Sequence, residues 1–373
     1  MRVGAYLRVR TGMLVRSRIT MGMLLLVLVA CVVSSLIPAE TGFGPSLYGR
    51  RRDALSQAME RDEVRAQDGE GASLLFSYEA SLAALEQARP GLTGDWKPFV
   101  EDAAKAAELA VRMGESGLCP FGTGGVGPET SVRAELGLTR ALGEGEWPIY
   151  ACASRQPALF RLASVPSLLP GLAWCLPALV MACVLGRDRS GGRLLAQSPV
   201  SPRVVLVVDA GLAWVSGLLV VALGWGAAAL VALRNGVGSP AYPVALVSAE
   251  GARVISVGAS VAWCFLALSM STLVVALVST AVAWGERRWV PSLVVGGLLA
   301  CGSLLAQAQG GEALGPLRLL DPLRMAPQTC YPGDGAWAAL VANPLEAVPL
   351  LSLAAVGFVA MEALCPLWCK VSR

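Results

Sequence analysis

The chain has no histidine and only three lysines, Lys97, Lys105 and Lys370, in 373 residues. The first absence removes Ser-His and Cys-His catalysis and every histidine-ligated metal site. None of the lysines follows a glycine-rich loop. The G-x-x-x-x-G-K-[ST] phosphate cradle is therefore missing, and ATP hydrolysis is not expected of this chain by itself. Charge is scarce too: Asp, Glu, Lys and Arg are 15% of residues, where a soluble chain holds about a quarter. Hydrophobic residues reach 55% and the mean hydropathy is +0.59. The net charge of +3 is too small and too scattered for a nucleic-acid binder. Composition alone points to the membrane.

The apolar residues are gathered into six runs, each compared with the roughly 20 residues that cross a bilayer core of about 30 Å. They are residues 21–37, 163–186, 204–233, 254–284, 290–308 and 345–367. The first follows a basic segment, as a signal peptide would, but no clear A-x-A site comes after it, so it reads as a retained anchor. Residues 1–20 carry Arg2, Arg8, Arg10, Arg16 and Arg18 among Val3, Tyr6, Leu7, Met13 and Leu14. That mixture fits a basic amphipathic segment on the inner membrane surface, or a charged tail that only sets topology.

Basic residues in the short loops set the orientation. Thirteen Lys and Arg residues fall on the side shared by the N-terminus, the 187–203 loop, Arg287, Arg288 and the C-terminus. Only Arg234, Arg253, Arg318 and Arg324 fall in the opposite short loops. Both termini are thus expected in the cytoplasm of a cell with a multi-pass plasma-membrane protein. Residues 38–162 then lie outside.

That outside block is acidic, with 18 acidic and 13 basic residues over 38–164. Its periodicity is helical. Leu75, Tyr78, Leu82 and Leu85 form one apolar face, Glu101–Lys105 and Glu108–Arg112 are i,i+4 pairs, and Arg50–Asp68 and Pro128–Gly143 read as two more helices. The expected fold is all-α: six transmembrane helices and a helical extracytoplasmic domain between the first two. Two motifs in the block mimic enzymes. Gly122–Gly127 matches G-x-G-x-x-G, but a dinucleotide site needs a preceding strand in a parallel sheet. Gly114-Glu-Ser-Gly117 resembles a rhomboid protease motif without the intramembrane setting or the histidine. Neither predicts catalysis.

Five of the ten cysteines, Cys31, Cys175, Cys183, Cys264 and Cys301, lie in apolar runs and read as small fillers. Cys365 and Cys369 sit i,i+4 at the inner end of the last run, with no further metal ligand near them. Cys119, Cys152 and Cys330 face the oxidising side, and a Cys119–Cys152 disulfide is expected within the outside domain. No metal or cofactor site is expected. Asp209 and Glu362 are acids set well inside apolar runs. Asp209 is six residues past Arg203, about 9 Å along a helix, and Glu362 is eight before Lys370. Both read as membrane-boundary acids within reach of water.

The most informative stretch is Arg187-Asp-Arg-Ser-Gly-Gly-Arg-Leu-Leu-Ala-Gln-Ser-Pro-Val-Ser-Pro-Arg203. Gly191 and Gly192 permit a bend, Arg193–Gln197 suits a short surface helix, and the two Ser-Pro pairs return the chain to the membrane. This stretch resembles the coupling segment of type-2 ABC transporter permeases. The plan of the whole chain is similar too: basic segment, one span, large outside domain, five spans. It departs where Asp209 stands in place of a basic residue and where Asp188 stands in place of the more usual glutamate.

The resemblance implies a permease that works as a dimer, with a second copy or a paralogue, and with a separate ATPase subunit that binds the ATP. Arg187, Asp188, Arg189, Gly191, Gly192, Arg193, Ser198 and Pro199 would face that ATPase. The mostly apolar spans with their small residues suit a hydrophobic or amphipathic cargo. The competing reading is a membrane sensor or scaffold whose outside domain binds a ligand or partner.

Overall fold

The computed structural model describes residues 3–36, 45–60, 69–88, 96–122, 126, 129–150, 153–165, 174–190, 201–248, 251–286 and 294. The expected spans 290–308 and 345–367, with Glu362, lie outside the described residues but for Val294. The protein is mostly helical. Among the described residues three helices are long and apolar enough to cross a membrane: Arg18–Leu36, Arg203–Asn235 and Val257–Ala283.

In chain order the helices are α1 (Val3–Arg16), α2 (Arg18–Leu36), α3 (Pro45–Glu60), α4 (Gly69–Gln87), α5 (Trp96–Glu115) and α6 (Glu129–Glu144). They continue with α7 (Ala158–Ser164), α8 (Leu176–Ser190), α9 (Pro202–Ala232) and α10 (Val257–Glu286). Between α9 and α10 stand two strands, β1 (Pro243–Ser248) and β2 (Gly251–Ser256), paired antiparallel from Pro243↔Ser256 to Ser248↔Gly251. This hairpin departs from the all-α expectation. Val254 and Ile255 were read as the start of a span, yet they extend β2, and α10 begins only at Val257. Hydropathy does not separate a β-branched strand from the helix it leads into.

Among the described residues two apolar cores result. One joins α2, α8, α9 and α10 around Cys31, Met181, Val221, Trp225 and Leu268. The other fills the domain made by α3–α6, with Leu82, Leu85, Ala103 and Leu138 at its centre. The face Leu75, Tyr78, Leu82 and Leu85 is buried there, as its spacing requires. Tyr242, Val244 and Ala245 of the hairpin side belong to the same core. The domain is therefore composite, drawing on the segment between α9 and α10 as well as on α3–α6. On the domain's surface Arg112 bonds Glu108 at 2.7 Å, while Lys105 pairs with Asp102 at 3.5 Å instead of Glu101. Such exposed pairs contribute little.

In the bundle, small residues let the helices lie close, as apolar helices need when no water drives them together. A Cβ on Gly224 of α9 would stand 2.6 Å from Val27 Cγ1 of α2. One on Gly217 would stand 2.6 Å from Ala178 Cβ and 2.7 Å from Ala178 N and Cα on α8. Gly217→Ala should accordingly destabilise the full chain in detergent by about 1–3 kcal/mol, because backbone cannot yield as a side chain can. Gly211, with nothing within 4 Å of its would-be Cβ, is the control. An unchanged unfolding midpoint for Gly217→Ala would show that α8 and α9 do not meet at this level.

An arginine clamp as the candidate functional site

α1 turns one side toward the bundle. Tyr6, Arg10 and Leu14, spaced i, i+4, i+8, are its buried residues, while Val3, Leu7, Val9 and Val15 stay exposed. That spacing places three side chains in line on one helix face. The middle one is a guanidinium, and it is 1% exposed.

Arg10 meets Asp209 of α9 through two bonds. Nη2 donates to Oδ2 at 2.7 Å and Nε donates to Oδ1 at 3.0 Å. This two-point match of a planar fork to a carboxylate is the strong form of an ion pair. The Tyr6 hydroxyl donates to the same Oδ1 at 2.9 Å and lies 3.0 Å from Arg10 Nε, which also donates to it. Nη2 has a further acceptor, the backbone carbonyl of Leu185 in α8, at 3.1 Å. One side chain thus ties α1 to both α8 and α9. Burial by itself would lower the Arg10 pKa; the hydrogen bond and charge of Asp209 outweigh it, and the net shift is upward. The guanidinium stays charged at any physiological pH.

Asp209 was expected at a water-accessible boundary. It is instead 1% exposed and enclosed by α1. Distance along α9 alone does not show this, because α1 folds back over that end of the bundle. From the sequence Arg10 reads as one of several arginines of a basic amphipathic or topogenic segment, with no partner in the apolar runs. The signal for it was present: a lone acid in an apolar run needs a counter-charge, and Arg10 is the arginine flanked at i−4 and i+4 by Tyr6 and Leu14.

The clamp lies at the foot of the segment that resembles a coupling loop. α8 runs on as helix through Arg187, Asp188 and Arg189 to Ser190, so the charged start of the loop is the last turn of a helix. Gly191, Gly192, Arg193, Ser198 and Pro199 lie outside the described residues. The chain is described again from Ser201, the residue before α9, whose first turn holds Pro202. Pro at that position loses no helical bond.

A second buried arginine stands at the opposite end of α2. Arg161 of α7, 4% exposed, donates from Nη2 to the Ser34 carbonyl at 2.5 Å and from Nε to Ser35 Oγ at 3.2 Å. It is held by serine oxygens at a helix C-terminus, where the backbone dipole favours a cation. Beside it, Ala158 N–H and Leu159 N–H donate to the carbonyls of Gly236 and Val237 beyond α9. These bonds fix the entry to α7 against the far end of the bundle.

Among the described residues, Cys119 and Gly122 are not joined to the clamp. Cys119 is fully buried in the domain core, and its expected partner Cys152 lies outside the described residues. Gly122 has a φ of +87° in a turn whose N–H donates to Val126 O, and it follows helix α5 where a dinucleotide fold has a strand. Among the described residues no three His, Cys, Asp or Glu side chains gather as for a metal. No family model, curated protein or solved structure matches the chain.

Proposed function

We propose that the chain is the membrane subunit of an ATP-driven exporter of the type-2 ABC class, with the ATP bound and hydrolysed by a separate subunit. The observation that carries this reading is the clamp. A segment resembling a coupling loop joins α8 to α9, and both helices are gripped by Arg10 beside their loop ends. A push on that loop reaches two helices of the bundle together rather than dissipating in one. In this reading α1 and the loop lie in the cytoplasm and the composite domain lies outside. The apolar bundle, rich in close glycine contacts, suits a hydrophobic or amphipathic cargo, and a second copy or a paralogue completes the pathway.

The sensor or scaffold reading has one observation in its favour. Strand β2 ends at Ser256 and α10 starts at Val257 without a linker, so an event in the domain has a direct route into the bundle.

Affinity purification of the tagged full chain from its native membrane distinguishes the two. The exporter reading expects an ATPase to copurify and to be lost when residues 191–200 are replaced by a Gly/Ser segment of equal length. Recovery of the chain without any ATPase, or an ATPase indifferent to that replacement, would overturn it in favour of the sensor.

A further inference from the structure

We propose that α1 is a releasable latch on the two helices that carry the coupling loop, with Arg10 as its pin, and that its release is a step of the transport stroke. The inference rests on the exporter reading above and names a control element of the same site.

The geometry makes Arg10 a gauge of the distance between α8 and α9. Its Nη2 bonds Leu185 O on one helix at 3.1 Å and Asp209 Oδ2 on the other at 2.7 Å. Both contacts come from a single nitrogen, and the fork is planar and rigid. Hydrogen bonds weaken steeply once they lengthen by about half an ångström. If α8 and α9 part at this end, the guanidinium must abandon one of them. The neighbouring residue limits the alternatives. A Cβ on Gly186 would stand 2.7 Å from Ala283 Cβ, so α8 is already wedged against α10 and does not yield in that direction.

The rest of α1 is built to come away. Its buried side chains are Tyr6, Arg10 and Leu14, and the first two spend their polar atoms on the clamp itself. The helix breaks at Ser17, where Ser17 N–H donates to Leu14 O and Met21 N–H returns to Ser17 O. α2 starts anew at Arg18. That one-residue joint lets α1 swing without unwinding the span behind it. Few buried contacts and a terminal position mark a segment of low local stability. The ion pair supplies what apolar burial does not, and a device with two discrete arrangements is what a stroke can switch.

Hydrogen exchange on the full-length chain in nanodiscs tests this, read on peptides from residues 3–16 and 202–232. Without any partner, Asp209→Asn should speed exchange in 3–16 by about tenfold or more and leave 202–232 as in the wild type. Unchanged exchange in 3–16, or equal loss of protection in both segments, overturns the latch. In the complex with the copurified ATPase, ATP with vanadate should bring the wild-type 3–16 segment to the rate of Asp209→Asn. The variant should show no further response to nucleotide. A wild-type α1 that stays protected while the complex hydrolyses ATP overturns the latch alone. Absence of any copurifying ATPase overturns the exporter reading beneath it.

Discussion

Glu135→Leu should unfold the composite domain at a temperature about 10 °C below the wild type, the equivalent of about 3 kcal/mol. Glu135 on α6 and Arg51 on α3 meet through two parallel bonds, Nη1 to Oε1 at 3.0 Å and Nη2 to Oε2 at 2.8 Å. The Glu135 side chain is 2% exposed and that of Arg51 is 18% exposed. Tyr48 covers the guanidinium, its ring centroid 5.8 Å from Arg51 Cζ. Burial alone would lower the Arg51 pKa, and the Glu135 charge drives it upward instead. Taking away the carboxylate strands a cation against two buried phenols, Tyr48 and Tyr78. The leucine gains some apolar contact, but far less than that desolvated charge loses. Arg51→Leu/Glu135→Leu, which removes both charges, should recover most of the loss. Thermal unfolding of the full chain, followed by circular dichroism, gives all three values. If the double variant melts no higher than Glu135→Leu, packing around α6 and not the ion pair holds the domain.

What a reader of the sequence could see follows from the range over which each interaction acts. The face Leu75, Tyr78, Leu82 and Leu85 repeats within one helix, and so does the pair Glu108 and Arg112; both were legible because three or four residues contain the whole signal. Arg51 and Glu135 are 84 positions apart, and Arg10 and Asp209 are 199 apart. Nothing local ties such pairs together. The hairpin was hidden differently. Pro243–Ser248 and Gly251–Ser256 are only six residues each, and Val254 and Ile255 run straight into the apolar α10, so hydropathy merges β2 with the span. The start of the 187–203 segment reads as loop from the sequence because Arg187, Asp188 and Arg189 are charged. Charge ends hydropathy, but it does not end a helix, and α8 continues through all three. Of the candidate site, then, the sequence marked Asp209 as anomalous without its partner, and the partner's helix without its inward face.

The clamp carries a prediction that depends on which of its charges can escape. Arg10→Leu should destabilise the bundle by about 3–5 kcal/mol, more than Asp209→Leu, although each removes one half of the same ion pair. Without Arg10, the Asp209 carboxylate is left on α9, a helix packed against α2, α8 and α10, and the leucine at position 10 keeps an apolar α1 docked over it, away from water. A charge held there without its partner is costly. Without Asp209, Arg10 has a way out: α1 hinges at Ser17 and carries the guanidinium to solvent. The loss is then limited to the docking of α1, about 1–2 kcal/mol for so few buried side chains. Arg10→Leu/Asp209→Asn should therefore melt above Arg10→Leu, because the amide removes the stranded charge while the leucine keeps α1 apolar at its centre. Tyr6 contributes to the asymmetry. In Arg10→Leu its hydroxyl still donates to Asp209 Oδ1, and Arg10→Leu/Tyr6→Phe should fall further. Unfolding midpoints of the full chain in one detergent rank the four variants. Equal losses in Arg10→Leu and Asp209→Leu would mean that α1 cannot leave the bundle, and the charge-escape argument would fail together with the hinge at Ser17.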